Sequence, residues 1–350
     1  MRLFTEVGTT KPIGRRILHS DGLMLLGSCF ADNMGARFQR AGFRTIVNPL
    51  GTLYNPLSVA ETVTRMLDGR LFGPEDIQPF GAEGYGTWMA HSLLSRPSPE
   101  ETLATQNERI AQAGEALRNG TAWLIVTFGT AWVYRLKEAP SSSLQTKETG
   151  TGTVVANCHH EPASRFVRQR MDVDDIVACW MSLLERLGNE CPQLRVIFTV
   201  SPIRHLRDGA HGNQISKATL LMAVEKLIER TDGKAEPSKA PSYFPAYEIM
   251  LDELRDYRFY AADMVHPSAV AEEFLWQRFA DTWMEGEAQR AAQRIEEVTE
   301  ALEHRPLHPE SDEYQRFLRQ TLLKIEEIRK EFPYFEAGNL IDRCHTLLNN

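Results

Sequence analysis

Apolar and polar positions divide this chain into two kinds of stretch that take turns. Apolar runs of strand length occur at Leu23 to Leu26, Phe43 to Val47, Thr121 to Phe128 and Leu194 to Val200, with a shorter candidate at Tyr243 to Tyr247. Most are nearly continuous in apolar residues, as strands buried on both faces are. Between them the apolar residues recur at helical spacing: Asp32 to Arg40, Leu57 to Leu67, Pro99 to Leu117, Asp172 to Leu187, Gln214 to Glu229 and Glu248 to Arg255. A further helix runs on to Trp283, with Pro267 expected at its first turn, where a missing N–H costs nothing. In Asp172 to Leu187, Val173, Ile176, Val177, Trp180 and Leu184 share one side. Strands alternating with helices through right-handed crossovers predict an α/β chain, a three-layer α/β/α fold on a parallel sheet of about five strands.

Past Glu285 the pattern changes. Ala288 to Leu302 and Ser311 to Lys330 are charged and helical with no strand between them. The expected division is an α/β domain over 1–285 with inserted loops and a helical C-terminal extension over 286–350, serving packing or a homo-oligomer. The first twenty residues read as an extended lead-in. Asp68 to Arg96, rich in Gly, Pro and aromatics, is expected to lie over the sheet edge as an elaborated loop. Pro140 to Val155 reads as a polar excursion or hairpin, and Thr231 to Pro241 as a linker.

Composition narrows the class. With 350 residues, 42% of them hydrophobic, the chain can bury a large core. A net charge of −8 argues against a general nucleic-acid or anionic-membrane binder, while leaving room for a local basic pocket. No apolar run reaches membrane-spanning length, and Met1 to Ser20 lacks the apolar core of a secretory signal, so the expected location is the cytoplasm. The five cysteines are scattered without a C-x-x-C pair, which fits reduced thiols rather than a zinc ribbon or a disulfide framework.

Two stretches carry candidate chemistry. In Asp21 to Gly35 a short apolar run ends at Gly27 and turns into a helix, leaving Ser28 and Cys29 at the carboxyl edge of the sheet. Ligands collect at that edge, and the helix that follows points free N–H groups and its positive end back at the turn. A thiolate or an oxyanion placed there is stabilised. The alternative is a buried Cys beside a Gly that a tight turn requires. Asp263-Met-Val-His266 is the second stretch: an Asp facing Nδ1 fixes the His tautomer and frees Nε2 as a base. Its alternative is a capping Asp beside a surface His. Arg204 and His205, at the end of the fourth strand, are expected on the substrate side. The stretch His211 to Lys217, at a helix start, has the polar character of a carbohydrate- or anion-contacting loop, with ordinary capping by Asn213 or Ser216 as the alternative. Asn157-Cys-His-His160 reads as a loop near the pocket rather than a metal cluster, having no second cluster at ligand spacing.

The string Gly27-Ser28-Cys29-Phe30-Ala31 resembles the signature of the GSCFA family, whose fold is similar to the SGNH (GDSL-like) hydrolases. The resemblance continues through Asn48-Pro-Leu-Gly-Thr, Phe128-Gly-Thr-Ala-Trp, Asn157-Cys-His, Val200-Ser-Pro-Ile-Arg-His and Asp263-Met-Val-His-Pro, covering roughly residues 20 to 285. It implies an SGNH- or flavodoxin-like fold with a nucleophile after the first strand, an oxyanion hole and an Asp/His pair on the last loop. Laying the GDSL block over this sequence puts Cys29 on the nucleophile position and Ser28 on that of the aspartate. Ser28 serves only if the turn shifts by one residue. The resemblance also implies a thiol pKa lowered by the helix N-terminus and His266. Gly51 matches the SGNH glycine block of the oxyanion hole. The SGNH asparagine after the third strand has no counterpart; Thr130 sits there, and Asn157 or Asn48 is left to reach in. The implied activity is an esterase or acyltransferase reaction, with an O-acyl group on a saccharide as candidate substrate and no cofactor or metal. The alternatives are a non-catalytic binding module that keeps the pocket, and a Cys-dependent thioesterase or amidase.

Overall fold

The computed structural model describes residues 5–12, 14–137, 152–232 and 240–349. Five parallel strands form the central sheet: β1 (Gly22–Gly27), β2 (Arg44–Val47), β3 (Thr121–Phe128), β4 (Arg195–Val200) and β5 (Ser242–Phe244). Their spatial order is 2-1-3-4-5, with Leu25 beside Val47 on one side and Ile125 on the other. This flavodoxin-like order reverses the direction of winding between β1 and β3, which opens a crevice beyond their carboxyl ends.

Side chains alternate along the strands, so each face takes every second residue. Met24, Leu26, Leu124, Val126, Phe198 and Val200 point toward α2 (Pro56–Asp68), α3 (Pro99–Asn119), α4 (Val173–Glu190) and α5 (Gly209–Thr231). Leu23, Leu25, Trp123, Ile125 and Ile197 point the other way, toward α1 (Cys29–Arg40) and α6 (Ala269–Trp283). Both faces are therefore covered, which is the three-layer α/β/α arrangement. Trp180 shows how well the first layer closes: its ring lies 5.2 Å from those of Phe128 and Phe198, and its indole N–H donates to the Pro56 carbonyl at 3.1 Å. A large buried aromatic is thus packed with no orphaned donor.

The C-terminal residues form α7 (Gly286–Glu303), α8 (Asp312–Glu331) and α9 (Gly338–Asn349). Helix α7 has two apolar sides. Ala288 and Ala292 join the layer of α1 and α6, while Ala291, Ile295, Val298 and Leu302 pack with α8 and α9. The apolar stripe of α8, Tyr314, Leu318, Ile325 and Ile328, is spent inside the chain. Among the described residues, no helix is long and apolar enough to cross a membrane.

Several elements depart from the sequence pattern. Helix α1 begins at Cys29 rather than Asp32, because Ser28 is its N-cap. Pro267 stands before Ser268, which caps α6 by accepting from Ala271 N–H, so Pro267 is outside the helix. Glu248 to Arg255 resolves into a single α-turn, Ala246–Glu248, followed by a π-helical turn, Ile249–Glu253. The Asp68 to Arg96 region contains an antiparallel pair, Ile77–Pro79 with Tyr85–Thr87, tied to α3 by the Thr87 hydroxyl donating to Gln106 at 2.8 Å. Trp132–Leu136, Val154–Val155 and Phe166–Arg170 form a small antiparallel sheet beyond the end of β3. Most of the Pro140 to Val155 excursion and of the Thr231 to Pro241 linker lies outside the described residues.

Candidate active site

The turn after β1 is built by backbone first. Gly27 sits at φ +132°, where only glycine is unstrained, and a Cβ on it would lie 2.0 Å from the Thr127 carbonyl oxygen of β3. Its N–H donates to Asn48 Oδ1 and its carbonyl accepts from Leu53 N–H, both at 2.8 Å. Asn48 Nδ2 in turn donates to Asp32 Oδ1 at 2.6 Å, and the Thr52 hydroxyl to Asp32 Oδ2 at 2.9 Å. This network locks β1, α1 and the turn after β2 together. Ser28 is buried, and its hydroxyl accepts from Phe30 N–H at 3.4 Å as the helix cap. Cys29 is the next residue, and its Sγ lies 4.0 Å from His266 Nε2.

His266 comes from the 260–267 loop that leads into α6. The loop is closed by Ala261 N–H donating to the His266 carbonyl and Ser268 N–H to that of Phe259, each at 2.8 Å. Asp263 Oδ1 accepts from the N–H groups of Val265 and His266 at 2.9 Å, and its Oδ2 lies 2.6 Å from His266 Nδ1. Those bonds from His266 and Val265 hold the Asp263 carboxyl down at about 2, so it is ionised at neutral pH. A carboxylate only accepts, so Nδ1 carries the proton and the Nε2 lone pair faces Cys29. Both side chains are half-exposed. The Asp and His lie in the loop before the helix, not in its first turn.

The electrostatics correct one expectation. The Cys29 thiol is raised, not lowered: burial dominates, and the nearby Asp32 carboxylate adds to it. The N–H groups of Cys29 and Phe30 and the Lys217 ammonium pull the other way without winning. The resting thiol is therefore neutral. Lys217, on α5, is fully buried beneath the crevice, its ammonium donating to the carbonyls of Gly129 at 2.7 Å and Ser201 at 2.8 Å. Burial drives its pKa down to about 7. His205 is pushed down to about 4 by burial and then by the Lys217 charge, so it is neutral.

Lys217 makes a testable contribution to stability. Its pKa is about 7 folded and near 10.5 when solvated, so between these values the unfolded chain holds the extra proton. Its contribution thus makes stability rise with pH across that window. Urea midpoints of wild type and Lys217→Met, compared from pH 7 to 10, are expected to diverge in favour of wild type as pH rises. A difference that stays flat would show that Lys217 is not held at a lowered pKa.

The crevice around Cys29 is about 350 Å³, lined by Tyr54, Trp132, Arg204, His205 and His266 among others. Two hollows of about 620 and 630 Å³ lie elsewhere, and neither has a histidine in its described lining. The sequence matches the family model described as GSCFA family over residues 22–279. The chain belongs to the GSCFA family. Its last helices match a second description, GSCFA domain protein, C-terminal domain, over residues 295–350. No curated protein matches the chain, and no solved structure does.

In this GSCFA chain the residues expected to form the oxyanion hole are placed otherwise. Gly51 N–H is spent on the Asn48 carbonyl at 2.8 Å, and the residue packs against His91 outside the crevice. Thr130 lines the crevice, but its N–H donates to the Tyr54 carbonyl and its hydroxyl is engaged with Ser216 and Trp132 N–H. Asn157 uses its side-chain oxygen to accept from His159 N–H at 2.8 Å, a local turn outside the crevice lining. Asn48 is spent on Gly27 and Asp32. The buried His159 meets Glu83 and the Thr87 carbonyl. Among the described residues, no group of three or more His, Cys, Asp or Glu is placed to hold a metal ion.

Arg204 and His205 do line the crevice. Sequence reasoning passed over Tyr54, whose hydroxyl has no partner among the described residues and whose pKa is raised by burial and by Cys29. It placed Lys217 at the end of a ligand-contacting stretch but missed that it is a buried charge, for which a signal existed: a lysine inside the buried stripe Asn213, Ser216, Leu220, Ala223, Val224 and Leu227 of α5. A charge on the apolar side of a helix needs a partner or a purpose.

Proposed function

We propose that this protein is an acyl-transfer enzyme, a hydrolase or acyltransferase acting on an ester, with Cys29 as nucleophile. The observation that carries the reading is the line Cys29 Sγ, His266 Nε2, His266 Nδ1 and Asp263 Oδ2 at the carboxyl edge of the sheet. Because the thiol is neutral at rest, its proton passes to Nε2 as sulfur attacks the carbonyl carbon. The carbonyl oxygen takes the negative charge, with the Cys29 N–H at the helix start and the neutral donors Tyr54 and His205 in the same crevice to receive it. Asp263 stabilises the imidazolium. Collapse breaks the acyl–oxygen bond, His266 returns the proton to the leaving alkoxide, and the acyl group stays on Cys29 as a thioester. Water or an acceptor hydroxyl, deprotonated by Nε2, then takes the acyl group and regenerates the thiol.

The resemblance to SGNH hydrolases supports the same reading, and an O-acyl saccharide remains its candidate substrate. The free, scattered cysteines support a reducing cytoplasmic setting. Incubation with 4-nitrophenyl acetate is expected to release a burst of nitrophenol and leave one acetyl group on the Cys29 peptide by mass spectrometry. One observation favours the competing reading, a binding module: the N–H groups of Gly51 and Thr130 are already spent. Absence of both burst and adduct would decide for it.

A further inference from the structure

We propose that the substrate carries an anionic group, a carboxylate or a phosphate, which Arg204 and Arg207 bind beside Cys29. The proposal rests on the acyl-transfer reading and names the class of substrate for that site. The chain is acidic overall, at −8, yet the crevice gathers Arg168, Arg204 and Arg207 on its walls above the buried Lys217. Among the described residues the lining contains a single carboxylate, Asp208, and it is already taken by Arg168. Arg204 and Arg207 have no carboxylate partner among the described residues.

Aromatic rings lie near all three guanidiniums. Arg168 lies 4.0 Å over the Trp132 ring, Arg207 is 5.8 Å from the centre of Tyr134, and Arg204 is 5.8 Å from that of Tyr260. Of these three, only Arg168, already paired with Asp208, is stacked on a ring. Arg204 and Arg207 lie at the outer edge of cation–π range, and Arg207 is exposed, so their N–H forks stay open to a planar anion. Among the described residues Arg204 spends only one weak bond, 3.4 Å to the Tyr260 hydroxyl. Two paired-off charges would need no ligand. Two unpaired ones beside a nucleophile match the charge-assisted, bidentate recognition that carboxylate and phosphate receive.

The test compares two alkylating agents of nearly equal size on the native full-length protein: anionic iodoacetate and neutral iodoacetamide. The ratio of their rates at Cys29, read from the Cys29 peptide, is referred to the same ratio in the urea-unfolded chain. A ratio raised roughly tenfold, the factor expected of one charged hydrogen-bonded contact, supports the proposal. Arg204→Gln and Arg207→Gln should each lower it, and the double variant should return it to the unfolded value. A native ratio equal to the unfolded one, or one that the double variant leaves unchanged, overturns it. Inorganic phosphate and acetate then separate the two ligands: whichever slows iodoacetamide at Cys29 identifies the group. Alkylation needs no turnover. A raised ratio without any acetyl adduct from 4-nitrophenyl acetate would condemn the acyl-transfer reading alone; an adduct with a flat ratio would condemn the anion alone.

Discussion

Alanine at Cys29 is expected to lower ester turnover by about a thousandfold or more and to abolish the acetyl adduct, because among the described residues it is Cys29 whose nucleophilic atom is paired with His266 Nε2. Alanine at Ser28 is expected to keep the adduct and to cost about 1 kcal/mol of stability, the worth of an N-cap hydroxyl. The contrast follows from one residue of helix phase. Both residues line the crevice, but Ser28 is buried with its hydroxyl turned to Phe30 N–H, whereas Cys29 starts the helix half-buried with its Sγ 4.0 Å from His266 Nε2. His266→Ala should cost a similar factor, and adding it to Cys29→Ala should cost nothing further, since nucleophile and base act as a unit. Nitrophenol release and urea midpoints measure both effects. If Cys29→Ala still turns over ester, or if folded Ser28→Ala loses the adduct, the nucleophile has been assigned to the wrong residue.

How far the sequence reaches depends on the range of the interaction that decides each feature. The three inner strands β1, β3 and β4 are legible because they are buried on both faces, so nearly every position must be apolar; Leu124, Val126 and Ile125 go to opposite layers, yet all are hydrophobic. The small sheet of Trp132–Leu136 and Phe166–Arg170 is half-exposed and carries Arg and Gln, so no apolar run announces it. Within the site, the turn Gly27-Ser28-Cys29 and the Asp263–His266 pair are local patterns and can be read. The oxyanion donors are not, because whether Gly51 N–H or the Asn157 side chain is free depends on Asn48 and His159 in the folded turn. The thiol pKa fails for a related reason. A helix N-terminus is visible in sequence, and so is Asp32 one turn along, but burial, the dominant cause, is tertiary, and with Asp32 it outweighs the helix end.

The same distinction gives the largest expected effect on stability. Gly27→Ala is expected to destabilise the fold by more than about 3 kcal/mol, from two sources that add. The backbone at φ +132° is strained for any residue with a Cβ. That Cβ would also stand 2.0 Å from the Thr127 carbonyl oxygen, so β1 must part from β3 or the turn must move. Moving it breaks the bonds to Asn48 and Leu53 and shifts Cys29 away from His266. Gly69, the C-cap of α2, supplies the comparison. It too has positive φ, at +61°, but a Cβ there meets nothing within 4 Å. Gly69→Ala should therefore cost only the left-handed backbone preference, about 1 kcal/mol, and leave Cys29 acetylation intact. Urea denaturation of the two variants, with acetylation as a second readout, separates backbone strain from close approach. Equal losses in both would mean that the contact between β1 and β3 does not govern the turn that presents Cys29.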